Sequence, residues 1–377
     1  MNRTIGANST VSTVDDDLVA ALCRAAEREP GDTTAVVRSH VRRVAPLAGD
    51  DATEALVRAA VARLDGLGEL DALMRDPTID EVLVNSGGEV WIERDGDLQP
   101  VGHLAADDLA VVVERILAPL GRRVDRSSPV VDARLPDGSR VCAVVPPVAV
   151  DGACLAVRRF HDHALPLLAF CDDAVARLLE ELVARRCNVI VSGATSSGKT
   201  SLLNSTLALA PAGERLVIIE DTAELLPRVP HLVRLEARPA TPDGPVAITL
   251  EHLVRTALRL RPDRLVVGEV RGPEVVALVQ ALNTGHDGAW STCHANSALD
   301  ALHRLETLIL AAAPAWPLTA ARQQLARSID VVVHVARTAH SARRIVEVGE
   351  VIREDPLALR PLVTDGFVVG DLRRGRP

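Results

Sequence analysis

A chain of 377 residues has room for two domains and a substantial core. Hydrophobic residues make up 47% and charged residues 25%, as in globular proteins, and a formal net charge of −9 weighs against broad electrostatic binding to nucleic acid. The six cysteines are scattered without a C-x-x-C pair, as in a reduced cytosolic protein, no apolar stretch is long enough to span a bilayer, and the polar, acidic N-terminus is unlike a signal peptide.

Residues 1–14 are rich in Asn, Ser and Thr and read as disordered. From Asp15 to about Leu73 a helical periodicity is broken by Pro30-Gly31 and Pro46, which predicts a small helical section. Ile79–Asn85 and Glu89–Glu93 flank Ser86-Gly87-Gly88 and predict a hairpin. A helix is expected over Asp107–Leu120, then strands at Val130–Leu135, Ser139–Val145 and Ala153–Phe160. His161–Leu168, with His161-Asp162-His163, reads as a solvated linker. Beyond it, helices are expected at 175–185, 200–209, 250–260 and 273–282. They alternate with strands at 189–192, 216–220, 265–268 and 289–293, the pattern of a parallel sheet flanked by helices. The expected division is a disordered start with a helical extension (1–73), an α+β domain (74–165) and an α/β domain (166–377).

The only lysine, Lys199, lies in Gly193-Ala194-Thr195-Ser196-Ser197-Gly198-Lys199-Thr200. A β-branched run, Cys187 to Ser192, precedes this G-x-x-x-x-G-K-[ST] pattern, and a helical segment from Thr200 and Ser201 onward follows it. Strand, glycine loop and helix are the context a phosphate loop requires. Backbone N–H groups from Ala194 to Thr200 are expected to face phosphates, with the helix N-terminus adding positive potential. Lysine's flexible ammonium reaches between phosphates where a planar guanidinium fits poorly, and Thr200 would ligate Mg²⁺.

Two further strands end in acids: Glu220, Asp221 and Glu224 after Leu216–Ile219, and Glu269 after Leu265–Gly268. In an open α/β sheet, ligands sit beyond the carboxyl ends of the strands. These acids could therefore converge on a γ-phosphate, orienting water and supporting Mg²⁺, or could cap the helices that follow. Histidines occur in Thr284-Gly285-His286-Asp287-Gly288 and Ser291-Thr292-Cys293-His294-Ala295-Asn296. Zinc binding is the weaker reading, because no usual four-ligand spacing is present; a strand-end histidine sensing phosphate fits better. Arg140, Arg158 and Arg159 fall in strands of the first domain, either as ion-paired surface charge or as arginines delivered to a nucleotide held elsewhere.

The ordered set GATSSGKT, VIIEDTAEL, LRPDRLVVGEVRG and NTGHDGAWSTCHAN resembles the Walker A motif, aspartate box, Walker B motif and histidine box of the type II/IV secretion ATPases. DARLPDGSRVCAVVPPVAVDG with AVRRF, and Arg271-Gly272, resemble the Tad/Flp pilus-assembly branch. The resemblance spans roughly Thr78 to Val351. It implies a RecA-like P-loop ATPase domain preceded by a smaller α+β, PAS-like domain, in a homo-hexameric ring using ATP and Mg²⁺. It also implies a cytoplasmic motor, peripheral to the inner membrane, acting on membrane-embedded platform proteins and not on nucleic acid. Carried over by motif, residues 193–201 bind phosphate, and Thr200, Glu220 and Glu269 support metal. Glu269, Glu220 and Glu224 supply catalytic carboxylates, His286 and His294 belong to the histidine box, and Arg140, Arg158 and Arg159 sit where the family supplies trans-acting arginines. The tetracysteine zinc module of many type II members is absent. A DNA-dependent RecA-like translocase and a regulatory nucleotide-binding module are the rival readings.

Overall fold

The computed structural model describes all residues except 1–15, 27–28, 30, 65–66, 69, 95, 161–164, 239, 241–245, 338–341, 354–356 and 376–377. The expectations for residues 1–14 and for His161 and His163 lie outside the described residues. Contacts divide the chain into two compact units, Met1–Phe160 and His161–Pro377.

The first unit opens with helices α1 (Asp16–Ala26), α2 (Thr33–Val44), α3 (Asp50–Leu64) and α4 (Leu70–Arg75). Asp32 caps α2 by accepting from the Ala35 N–H at 2.8 Å. Val19, Leu22, Val37, Val41, Val57 and Ala60 form a small core of their own. Strands β1 (Glu81–Val84), β2 (Glu89–Arg94), β3 (Asp97–His103), β4 (Val130–Arg134), β5 (Arg140–Val144) and β6 (Cys154–Arg158) follow, with α5 (Ala106–Leu117) between β3 and β4. They form one antiparallel sheet in the order β3-β2-β1-β6-β5-β4. Val82, Val84, Val141, Ala143, Leu155 and Val157 alternate onto one face and pack with Leu109, Val112, Val113 and Ile116 of α5. The other face carries Arg134, Arg140 and Arg158 in one row. Strand β3 was not expected, because its residues are all exposed and show no apolar alternation.

The second unit contains α6 (Asp173–Ala184), β7 (Val189–Gly193), α7 (Lys199–Leu207), β8 (Leu216–Glu220), β9 (Leu232–Glu236), α8 (Leu250–Ala257), β10 (Arg264–Val267), α9 (Glu274–Leu282) and β11 (Trp290–His294). It continues with α10 (Ala298–Ala312), α11 (Leu318–Ser328), β12 (Val331–Arg337), β13 (Arg343–Ile352), β14 (Ala358–Thr364) and β15 (Phe367–Val368). The sheet order is β15-β14-β13-β12-β7-β11-β10-β8-β9. Strands β12, β7, β11, β10, β8 and β9 are parallel, and β13 to β15 extend the sheet antiparallel.

Helices cover both faces of the central strands, which is why those strands read as unbroken apolar runs. Val189 and Val191 pack with α6 and α7, whereas Ile190 packs with α8 to α11. In α7, Leu202, Leu203 and Leu207 are buried, each burial stabilising by about 1.5–3 kcal/mol. Asn188 joins three segments at the start of β7: its amide donates to Ser328 O at 2.8 Å, its side-chain oxygen accepts from Ala289 N–H at 3.0 Å, and its own N–H donates to Asp330 at 2.9 Å. The strand that leads into the glycine loop is thus fixed along its length.

Candidate nucleotide site

The glycine loop connects β7 to α7, as the sequence predicts. Gly193, Ser196 and Gly198 have φ of 156°, 58° and 98°. A Cβ on Gly198 would sit 2.7 Å from Arg343 Cδ, so only glycine fits that left-handed position. Ala194, Thr195 and Ser196 are exposed, whereas Ser197 is 2% exposed and its Oγ is buried without a hydrogen-bond partner. A buried hydroxyl of this kind calls for a ligand acceptor. Thr200 and Ser201 are half-buried in the first turn of α7, whose leading N–H groups have no partner within the helix. Arg337 Nε donates to Ser196 O at 2.8 Å and holds the crown of the loop from β12.

Lys199 is buried. Its Nζ donates to Gly193 O at 3.0 Å and Ala194 O at 2.7 Å, and lies 3.3 Å from His294 Nδ1. His294 ends β11, and its Nε2 lies 3.0 Å from Glu269 Oε1. Glu269 follows β10, and the carbonyl of Gly268 between them accepts from the Thr292 hydroxyl at 2.7 Å. Three neighbouring strand ends thus bring Lys199, His294 and Glu269 into one hydrogen-bonded chain. Partial burial pushes the His294 pKa down, the Lys199 charge adds to this, and Glu269 opposes it.

Glu220 ends β8 and is 4% exposed. Its carboxylate accepts from the N–H groups of Glu224 at 3.0 Å and of Leu225 at 3.0 and 3.2 Å. Burial raises its pKa to about 7, against the lowering effect of those two N–H bonds and of Arg234. Glu220 therefore fixes the loop that follows it; no helix starts there for it to cap. Glu224 is half-buried in that loop. Asp221 pairs with Arg271, Nη2 to Oδ2 2.6 Å. Glu274, which the sequence did not single out, accepts from Arg271 and Gly272 N–H at 2.7 Å each and shapes the loop after Glu269. An acid two positions after Gly272, at the start of the expected helix, was the available signal.

His286 requires a correction. It precedes β11, whereas His294 ends it, so the strand, roughly 16 Å long at 3.3 Å per residue, separates them. His286 lies at the amino end of the sheet, its Nδ1 3.2 Å from Ala281 O at the end of α9. Within this unit it is not brought to the glycine loop. Among the described residues no group of three His, Cys, Asp or Glu side chains is arranged to hold a metal ion, so the zinc alternative at Cys293 and His294 gains no ligand set.

In the first unit, Arg140 is the register partner of both Arg134 and Arg158, and Arg158 Nε lies 3.7 Å from Glu81. Arg159 donates instead to the Asp76 carbonyl, tying the turn after α4 to the end of β6.

A glycine loop between a buried parallel strand and a helix, with its lysine beside strand-end acids, defines a P-loop nucleotide-binding protein. The chain belongs to the type II/IV secretion ATPase family: the model of the type II/IV secretion system protein family matches residues 63–360. A Mycobacterium tuberculosis protein named for conjugal transfer is 40% identical over 314 residues, 80% of this chain and 89% of the relative. The conjugal transfer protein TrbB of Rhizobium radiobacter is 33% identical over 295 residues, 75% of this chain and 87% of the relative. The crystal structure of the pilus retraction motor PilT with bound ADP shares the fold at a TM-score of 0.55 and 19% identity, covering 79% of this chain and 82% of that one.

Proposed function

We propose that the chain hydrolyses Mg-ATP as a RecA-like motor and couples hydrolysis to movement in a membrane-embedded secretion or pilus machine. The observation that carries this reading is the chain from Lys199, the first residue of α7, through His294 to Glu269 at the ends of β11 and β10. The glycine loop and the unpartnered Ser197 hydroxyl suit a phosphate group. Thr200, with Glu220 and Glu269 nearby in sequence motif and strand end, would hold Mg²⁺, which supplies charge neutralisation on the phosphates.

Glu269 then accepts the proton of the attacking water, and His294 orients that carboxylate. Lys199 exchanges at least one of its present partners for a phosphate oxygen when nucleotide arrives, and His294, which bridges Lys199 and Glu269, reports the γ-phosphate to Glu269. Glu220, already engaged by two N–H groups, shapes the wall of the site and takes a supporting role. Arg140 and Arg158 act from a neighbouring subunit of a homo-hexamer.

No helix among the described residues is long and apolar enough to cross a membrane. Membrane association is proposed to be peripheral, through platform proteins at the cytoplasmic face of the inner membrane. The sequence motifs favour Tad/Flp-type pilus assembly. The relatives named for conjugal transfer favour a second reading, transfer through a type IV secretion machine. A phosphate-release assay with the Lys199→Ala variant as control tests the ATPase. Neighbouring genes for pilin and prepilin peptidase would support the pilus reading, and genes for mating-channel components the other. Turnover dependent on added DNA would favour a translocase, and binding without turnover a regulatory module.

A further inference from the structure

On the sheet face covered by α8 to α11, a line of polar side chains crosses the strands directly behind the glycine loop. The register places Cys293 beside Ser192, Ser192 beside His334, and His334 beside Glu347. Ser192 is fully buried and His334 is 7% exposed. Ser192 Oγ lies 2.9 Å from His334 Nδ1. Glu347 Oε2 accepts the Ala298 N–H at 3.0 Å, at the first residue of α10. The rest of β7 is apolar up to this point, and a buried hydroxyl and imidazole are costly unless partnered; Ser192 Oγ also lies 3.5 Å from the Val333 carbonyl, the longer of its two contacts.

The position of this pair gives it leverage. Ser192 immediately precedes Gly193, whose carbonyl accepts from Lys199. The next residue of β12, Val335, presents its carbonyl where a Cβ on Gly193 would lie, so β12 packs directly on the first residue of the loop. The β12–β13 register shifts between His334 and Val335. On the far side, Glu347 holds the start of α10 only four residues after His294, the histidine that faces Lys199. The polar line therefore runs across the base of the loop, from β11 to the residue that holds the start of α10.

We propose that His334 is a positioning residue for nucleotide binding: through the Ser192 hydroxyl it fixes the Ser192–Gly193 backbone, and with it the carbonyl that holds Lys199. The inference rests on the nucleotide-binding reading above. The charged groups facing His334 are Glu347 on β13, Asp300 on α10 and Lys199 on α7. Burial, with the Lys199 charge, outweighs the two acids and lowers the His334 pKa, which keeps the ring neutral near pH 7 and Nδ1 free to accept.

The test compares Ser192→Ala, His334→Leu and His334→Asn, the last of which keeps an acceptor close to the place of Nδ1. In Ser192→Ala and His334→Leu, KM for Mg-ATP should rise about tenfold, the weight of one net hydrogen bond, while kcat changes less than about twofold. His334→Asn should stay near the wild type, and the double variant should equal either single one. In parallel, Lys199, the only lysine, can be acylated without nucleotide present. A loosened Gly193 carbonyl should speed that acylation in both disruptive variants and not in His334→Asn. If His334→Leu fails to fold, Ser192→Ala, which loses one hydroxyl, decides alone. Unchanged KM and unchanged acylation in folded Ser192→Ala would overturn the assignment, as would additive effects in the double variant. A wild-type chain that neither binds nor hydrolyses ATP would instead overturn the nucleotide reading itself.

Discussion

Glu269 Oε1 and His294 Nε2 lie 3.0 Å apart, and the same imidazole reaches Lys199 through its other nitrogen at 3.3 Å. A neutral ring with its proton on Nε2 donates to the carboxylate and accepts from the ammonium, which agrees with the lowered His294 pKa. Lys199 then spends its three N–H donors on Gly193 O, Ala194 O and His294. A phosphate must displace at least one of these partners.

That competition is measurable because Lys199 is the only lysine. An amine-directed label can modify only Lys199 and the N-terminal amine. Saturating Mg-ATP should protect Lys199, and Lys199→Ala should lose nucleotide binding while remaining folded. Equal labelling with and without Mg-ATP would remove the phosphate role from this residue.

Glu269→Gln keeps the size of the side chain and its contact with His294 but removes the proton acceptor. ATP binding should persist, and turnover should fall by roughly two to four orders of magnitude, the scale of a lost general base. Glu220→Gln should cost less turnover, because its carboxylate is already committed to the Glu224 and Leu225 N–H groups. Near-normal turnover in Glu269→Gln with a collapse in Glu220→Gln would exchange the two roles.

A buried carboxylate far from the site sets a stability prediction. Glu350 on β13 accepts from Arg360 and from the Arg373 and Arg374 N–H groups at 2.9 and 2.7 Å, and Arg374 reaches Ile329 O at 3.0 Å and Asp330 at 3.5 Å. Although burial alone would raise it, these bonds hold the Glu350 pKa below 4.5. A depressed carboxylate stabilises the fold above its unfolded pKa and loses that contribution as pH falls through the folded value. Glu350→Gln should therefore cost about 2 kcal/mol near pH 7. The difference from wild type should shrink only below about pH 4.5 in denaturant titrations run at several pH values. A difference that is constant from pH 7 to pH 3 would reject the linkage.

The elements around the nucleotide site were legible because their physics is local. β7, β8 and β10 are fully buried parallel strands and read as apolar runs, and the glycine loop is set by residue types that few other structures need. The elements from α10 to β15 were not read out, because β12 to β15 leave the βαβ alternation that made the earlier elements stand out. With them went His334, Arg337 and Arg343, which shape the loop from strands far away in sequence. His286 was misplaced for a geometric reason: it is eight residues from His294 along the chain, but a strand between them puts the two at opposite ends of the sheet. Arg159 looked equivalent to Arg158, yet successive residues on a strand point to opposite faces, and Arg159 turns to the Asp76 carbonyl.

The last prediction concerns the row of arginines on the first unit. Arg134, Arg140 and Arg158 are cross-strand neighbours on β4, β5 and β6. A row of guanidinium groups has the chemistry to receive an anion such as a nucleotide phosphate. If Arg140 or Arg158 acts across a ring on nucleotide bound by the next subunit, then Lys199→Ala and Arg140→Ala chains are each inactive alone. Co-assembled, some interfaces pair an intact loop with an intact arginine, and ATPase activity should partly return. An arginine serving the loop of its own chain cannot rescue in this way, because every chain then carries a defect in its only site. The same mixing with Arg158→Ala separates the two candidates, and Arg159→Ala should instead lower thermal stability without complementation. Co-assembly is checked by pull-down with two tags. Verified mixed oligomers that recover no activity with either Arg140→Ala or Arg158→Ala would sink the shared-site reading and leave the ATPase assignment intact.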